Sequence, residues 1–396
     1  MTLIKNKSIT KTTIINRIIG KIQGVKKGPT IVFFAGIHGN EKAGVIALKK
    51  VFKEFSEETI NGTVYGILGN LKALEKNQRY LDEDLNRIWT SEQLKNIPHK
   101  ATLNAEEKEQ KELFAVLHRI IENDSGPFYF IDFHTTSSKT LPFITINDAI
   151  INRKFSSQFP VPIVLGIEEY LNGPMLSYIN ELGYVSLGFE SGQHEEKEAI
   201  VNCISFIYLT LAFTNAIDSS NSKDYTKYYN QLKVVSKKQD KVFEIVYLHT
   251  IKQDEIFKMK EGFKSFEDIK KKTVLATSNN QLIFSKYNAK IFMPLYQKKG
   301  KEGYFIIKEI APFFLKLSTV LRSIKADNVL VILPGIFWEN TNKNALIVNL
   351  KVTRFFAKSI FHLLGYRNKQ ADATHLKLYN RERVSKTEMY KDQQWY

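Results

Sequence analysis

Residues 30–55 read TIVFFAGIHGNEKAGVIALKKVFKEF. The run TIVFFAGI (30–37) is continuously apolar, the pattern of a strand buried on both faces of a parallel or mixed sheet. Gly36 and Gly39 mark a turn after it. In EKAGVIALKKVFKEF (41–55), Val45, Leu48, Val51, Phe52 and Phe55 recur at spacings of three and four, which predicts an amphipathic helix. TVYGILG (63–69) reads as the next strand. A strand–helix–strand order implies a right-handed crossover, so the chain opens as an α/β fold.

The same texture continues outward. Ala105–Ile121 and Ala199–Phe213 read as helices, and Phe128–His134 and Tyr184–Glu190 as strands. The polar stretch DSSNSKDYTKYYNQ (218–231) breaks the pattern. Beyond it come short β-like runs at 241–251, 273–278, 281–285, 290–296 and 303–310, whose close spacing suggests a small sandwich or barrel. VLVILPGIF (329–337) and a helix-like VTRFFAKSIFHLLG (352–365) follow. Three segments are expected: an α/β part over 1–220, a β-rich part over 221–311, and a C-terminal extension over 312–396.

Composition narrows the class. Of 396 residues, 43% are hydrophobic and 25% charged, which excludes a mainly disordered chain, a collagen and a coiled coil. Cys203 is the one cysteine, so an intrachain disulfide and a CxxC zinc finger are excluded. No apolar run approaches the ~18 residues of a membrane span, and no membrane partner is expected. The start, MTLIKNKSITKTTIINRIIGK, has no continuous apolar core before a small-residue cleavage site; no signal peptide is read, and a cytoplasmic location is expected. The net charge of +16 lies in the second half, since residues 1–220 hold 24 basic and 25 acidic side chains. Lysine dominates that half and no basic run is interleaved with aromatics, so it reads as a solvated surface with no nucleic-acid partner.

Three segments carry chemistry. In GIHGNE (36–41), His38 and Glu41 stand at i and i+3 near a helix start, on one side of one turn. Imidazole and carboxylate are good zinc ligands, but two do not make a site. A third is expected from another strand end, where open α/β sheets gather their sites, and FIDFHTTSS supplies His134. In QRYLDEDLNRIW (78–89), a salt-bridged loop is one reading. In the other, Asn86 and Arg87 bind a carboxylate and Arg79 stabilises an oxyanion. In LGFESG (187–192), Glu190 closes an apolar strand; it either faces solvent or is buried with a raised pKa suited to a general base. Asp132, two residues before His134 on a strand, either orients that imidazole or is structural. Of the other histidines, His118 and His362 read as structural, His99, His194 and His375 as surface residues, with His194 close to Glu190 in sequence, and His249 as a strand residue.

Taken together, GIHGNE, RYLDEDLNR, DFHTTSS and a glutamate closing a strand before glycine resemble the succinylglutamate desuccinylase/aspartoacylase family of zinc carboxypeptidase-like hydrolases. The match covers residues 30–192. It implies a mixed sheet flanked by helices, followed by a smaller β-rich C-terminal domain that closes over the pocket. It implies one zinc per chain on His38, Glu41 and His134, with Glu190 as general base and Arg79 polarising the carbonyl. Asn86 and Arg87 would hold a substrate carboxylate, with Asp84 bracing their loop. IFMPLYQKK is similar to the segment that brings a substrate-binding tyrosine, which points to Tyr296, with Tyr304 as competitor.

One departure bears on the substrate. The family places an arginine shortly before the base glutamate to bind a second carboxylate. Here no arginine lies between Arg153 and Arg322 and no lysine between Lys154 and Lys197, leaving neutral candidates such as Ser177 and Asn180. The expected activity is zinc-dependent hydrolysis of an N-acyl amino acid, a small-molecule substrate. The rivals are a metallocarboxypeptidase acting on peptides and an inactive binding protein on the same scaffold.

Overall fold

The computed structural model describes residues 17–217, 222–349, 351, 358–370 and 374–396. The leader reading over residues 1–16, part of the polar break and the opening of the 352–365 helix lie outside the described residues. The chain forms two compact units. One takes in the described residues up to Thr135 together with Gly173–Met175 and Gly188–Leu232; the other is Thr136–Asn172, Leu176–Leu187 and Lys233–Tyr396.

The first unit follows the sequence pattern closely. Its strands are β1 (Ile18–Gln23), β2 (Lys26–Ala35), β3 (Asn61–Leu68), β4 (Phe128–Thr136) and β5 (Val185–Gln193, entering at Gly188), in the order β1-β3-β2-β4-β5. β2 pairs in parallel with both β3 and β4, and β1 is antiparallel to β3. A central parallel strand is covered on both faces, which is why TIVFFA carries no polar alternation and Ile31–Ala35 are wholly buried. Its helices include α1 (Ala43–Val51), α2 (Ala105–Asn123) and α3 (Lys197–Phe213), and α1 packs against α3. Phe206 of α3 stacks on Phe189 of β5 at 4.0 Å between ring centroids and meets Phe133 of β4 edge-on at 6.2 Å. Burial of each ring is worth about 1.5–3 kcal/mol, so this cluster anchors the strand ends that carry the site.

The second unit combines segments far apart in sequence. Its strand order is 143–146, 163–165, 242–250, 302–309, 289–292 and 267–269, parallel across the first three and antiparallel beyond. A three-stranded sheet (257–259, 274–278, 281–284) and a four-stranded antiparallel sheet (336–338, 345–349, 366–370, 375–380) complete it. The expected α/β class with a mixed sheet and a β-rich C-terminal part holds. The compact units, however, cut the chain differently from the boundaries at 220/221 and 311/312. Ile163 pairs with Val242 in parallel register, and Phe143 and Val164 share one core with Phe243, Phe266, Phe292 and Phe305. Parallel pairing joins residues remote in sequence, so no local pattern announces it. Residues 326–332 form a 3-10 helix, and Ile336–Trp338 is extended.

The 312–396 segment is integral to the second unit. Tyr390 accepts a hydrogen bond from the Val185 amide at 3.0 Å, and Trp395 lies 5.2 Å from Phe155 between ring centroids. Among the described residues no helix is long and apolar enough to cross a membrane.

Candidate functional site

The chain leaves β2 at Ala35 and turns at Gly36, whose φ of 72° suits glycine. Gly39 lies so close to the 73–78 segment that a Cβ would come within 2.1 Å of the Ala73 carbonyl carbon. This turn delivers His38 and Glu41 just before α1. His134 lies at the end of β4, the strand paired with β2. The three side chains are buried, and their potential ligand atoms all lie within 4.8 Å of one another.

Their orientations are specific. Nδ1 of His38 lies 2.9 Å from Glu41 Oε1, and Nδ1 of His134 lies 3.0 Å from Glu41 Oε2. The outer nitrogens face further carboxylates: His38 Nε2 is 3.0 Å from Asp84 Oδ1, and His134 Nε2 is 2.7 Å from Asp132 Oδ2. The Thr135 amide donates to Glu41 Oε2 at 3.0 Å. A neutral imidazole has one N–H. If that N–H serves the outer carboxylate, both Nδ1 lone pairs point at the oxygens of a single carboxylate. A cation held by His38, Glu41 and His134 resolves this arrangement, with Asp84 and Asp132 fixing the tautomers from behind. Without a cation, protonation answers the same demand at His134. Burial opposes charge on Glu41, but the adjacent imidazoles outweigh it and hold its carboxyl well below the usual range. Burial likewise opposes charge on His134, but Asp132 and Glu41 hold it well above the usual imidazole value.

Arg79 joins the cluster through Nη1 to Glu41 Oε1 at 3.2 Å and Nη2 to Asp84 Oδ2 at 3.0 Å. Asp84 also accepts from the Asn86 amide at 2.9 Å, so it braces the loop as expected and contacts a histidine besides. Asn86 Oδ1 accepts from the Met175 amide at 2.9 Å, and Arg87 Nη1 donates to the Asn86 carbonyl at 2.8 Å. Glu190 is buried on β5. Burial raises its pKa to about 7, with His134 pulling down and Glu41 pushing up. Its Oε2 has no hydrogen-bond partner among the described residues. A buried carboxylate oxygen without a donor is costly unless a water or a substrate group meets it.

Residues outside the motifs also build the site. Glu106, wholly buried in the first turn of α2, accepts from the amides of Leu81, Asp82 and Glu83 at 2.7, 2.9 and 3.2 Å and so pins the Arg79–Arg87 loop. Its helix starts on a capping box made by Asn104 and Glu107, a pattern visible in the sequence. His194, read as a surface residue, is half-buried and places Nδ1 2.7 Å from Thr135 Oγ1. The available signal was its position four residues after Glu190.

Tyr296 belongs to the second unit. Its hydroxyl donates to the Lys260 carbonyl at 2.8 Å and accepts from the Phe263 amide at 3.0 Å, so it is already engaged there. Tyr304 is buried beside His249, with ring centroids 5.4 Å apart. Ser177 bonds Asn147 at 3.1 Å, and Asn180 is buried.

Residues 27–199 match the sequence model of the succinylglutamate desuccinylase/aspartoacylase catalytic domain. A succinylglutamate desuccinylase from Photorhabdus laumondii is 34% identical over 138 residues, 33% of this chain and 40% of that protein. A probable aspartoacylase from Trichodesmium erythraeum is 33% identical over 138 residues, 34% of this chain and 44% of that protein. The chain thus spans less than half the length of these relatives. A solved succinylglutamate desuccinylase/aspartoacylase structure from Rhodobacter sphaeroides superposes with a TM-score of 0.55 at 12% identity, covering 73% of this chain and 88% of that one; it shows the fold. Over residues 27–199 the chain is thus similar to the succinylglutamate desuccinylase/aspartoacylase catalytic domain.

Proposed function

We propose that this chain is a zinc-dependent deacylase that hydrolyses the amide of an N-acyl amino acid. The observation that carries the proposal is the convergence of two imidazole Nδ1 atoms on one carboxylate, beside a buried glutamate with an unpartnered oxygen. The donor set suits zinc, with His38, Glu41 and His134 as ligands. Bound there, zinc would supply a Lewis acid that makes a water proton more acidic and polarises a carbonyl. Glu190 takes the proton of the attacking water on a carboxylate oxygen and then hands it to the departing amine nitrogen. A pKa near 7 suits both halves of that task. Arg79, held by Glu41 and Asp84, offsets negative charge growing on the carbonyl oxygen. Asn86 and Arg87 receive the substrate carboxylate, and Tyr296 is proposed as a further substrate contact.

The missing arginine before Glu190 shapes the substrate choice. Burying a second carboxylate without a partner is costly. Ser177 is engaged by Asn147, and that segment carries no arginine or lysine. N-acyl derivatives of neutral amino acids are therefore the expected substrates, ahead of N-acetylaspartate and N-succinylglutamate. Metal analysis with a side-by-side assay of these compounds and short peptides tests the reading. One zinc per chain in the wild type, none in His38→Ala, and turnover of the neutral derivatives are expected. No zinc after reconstitution would overturn the site, and preference for a dicarboxylate amine or for peptides would overturn the substrate class.

A further inference from the structure

We propose that a cavity within the second unit binds a free α-amino acid with an apolar side chain. The cavity holds about 520 Å³, inside the range of about 300–1,000 Å³ common for small-molecule sites. All of its lining residues belong to the second unit. None of them is among the residues assigned to hydrolysis.

Two of its lining groups, of opposite sign, have hydrogen-bonding capacity that no described residue uses. Arg153 donates through Nε to Asp148 Oδ1 at 2.5 Å and through Nη1 to Ser318 Oγ at 3.3 Å. Those bonds fix the plane of the guanidinium, yet no described residue accepts from Nη2. The orientation of the fork is therefore set, and its remaining edge suits a carboxylate. Glu244 also lines the cavity. Its one ion-pair neighbour among the described residues is His362, with Nδ1 at 3.9 Å, too far for a hydrogen bond. A carboxylate so placed suits an ammonium. Ile310, Phe314, Leu315 and Leu363 give the cavity an apolar wall.

A simple anion would face Glu244, Glu309 and Asp148, and a simple cation would face Arg153 and Arg367. A zwitterion meets both demands at once. An α-amino acid brings its carboxylate to Arg153, its ammonium to Glu244 and its side chain to the apolar wall.

Isothermal titration of the full chain with leucine, phenylalanine, leucinamide and isocaproate tests this. Leucinamide lacks the carboxylate, and isocaproate lacks the ammonium. Leucine and phenylalanine should bind. Either analogue should bind about tenfold more weakly or worse, the scale of one lost charge-assisted hydrogen bond. Glu244→Gln should weaken leucine by a similar factor. Ala311→Trp, at an exposed position on the cavity wall, should block binding without touching a buried charge. Binding should persist in His38→Ala, which separates this site from the hydrolytic one. No heat from either amino acid, heat abolished by His38→Ala, or heat unchanged in both Glu244→Gln and Ala311→Trp would overturn the proposal.

Discussion

Each unit buries a cluster of charge, and the two are built for different ends. In the first unit, two imidazoles sit between three carboxylates, Glu41, Asp84 and Asp132, with Glu190 nearby. In the second, one carboxylate, Asp148, takes Arg153 at 2.5 Å, Arg322 at 2.9 Å and Arg367 at 2.5 Å, and Arg322 reaches on to Glu382 at 3.0 Å. Guanidiniums keep their charge at any pH a protein survives. A carboxylate saturated by them is locked, and the cluster ties together the segments around residues 148, 322, 367 and 382. Imidazoles exchange protons for metal ions near neutrality. A cluster built on them, with a carboxylate oxygen left unpartnered, is poised for exchange. Burial alone therefore does not mark a reactive site; the type of cation and the unmet valence do.

The comparison can be broken at either cluster. The largest effect is expected at Glu190. Glu190→Gln should keep metal and thermal stability but slow turnover by about 10²–10⁴-fold, since an amide cannot take the proton. Turnover near the wild-type rate would remove Glu190 from the mechanism.

Asp148→Asn should do the reverse. It leaves three guanidiniums, those of Arg322 and Arg367 buried, facing a neutral group, a loss on the order of 3–5 kcal/mol in denaturant unfolding. The pH dependence sharpens this. Burial alone would raise the Asp148 carboxyl, but Arg153, Arg322 and Arg367 outweigh it and hold it well below the usual value. A depressed pKa contributes stability that is full above the unfolded value of about 3.9 and is lost as pH falls through the folded value. The gap between wild type and Asp148→Asn should stay constant from about pH 5 to 8 and narrow only below about pH 4. A gap that narrows near pH 6 would show that imidazole titration, and not this carboxylate, governs the cluster.

The smallest effect is expected behind the proposed metal site. Asp132→Asn keeps the shape but removes the charge facing His134 Nε2. Metal affinity should drop about 10–100-fold, with little change in folding stability. Competition with a chelator measures the first and thermal melting the second. Unchanged affinity would assign Asp132 to structure alone.

Much of the first unit was legible because its information is local. The unbroken apolar run of β2, the three-and-four spacing on α1 and the strand carrying Phe133 each follow from backbone periodicity over fewer than a dozen residues. The candidate ligands were legible for the same reason: strand ends and tight turns in a parallel sheet converge at one edge, so His38, Glu41 and His134 follow from the motifs once the strands are placed. What the motifs did not contain was the support. Glu106 holds the 79–87 loop through backbone amides, which leave no mark on side-chain pattern. His194 looked like a surface residue because its strand runs on to Gln193, past the expected end at Glu190.

In the second unit the balance shifts to tertiary structure. Most short strands of 242–309 were visible, but not 257–259 and 267–269, nor the partners at 143–146 and 163–165. Arg322 and Arg367 lie 174 and 219 residues from the Asp148 they hold. No periodicity reaches that far, and an arginine in sequence looks the same on the surface as in a buried fork. By itself, then, the sequence determined the local elements and the identity of the reactive groups. Only packing decided which charges were buried together, which were fully paired and which were left with an unmet bond. That follows from the physics, since the energy of a buried charge depends on every group around it, whatever its distance along the chain.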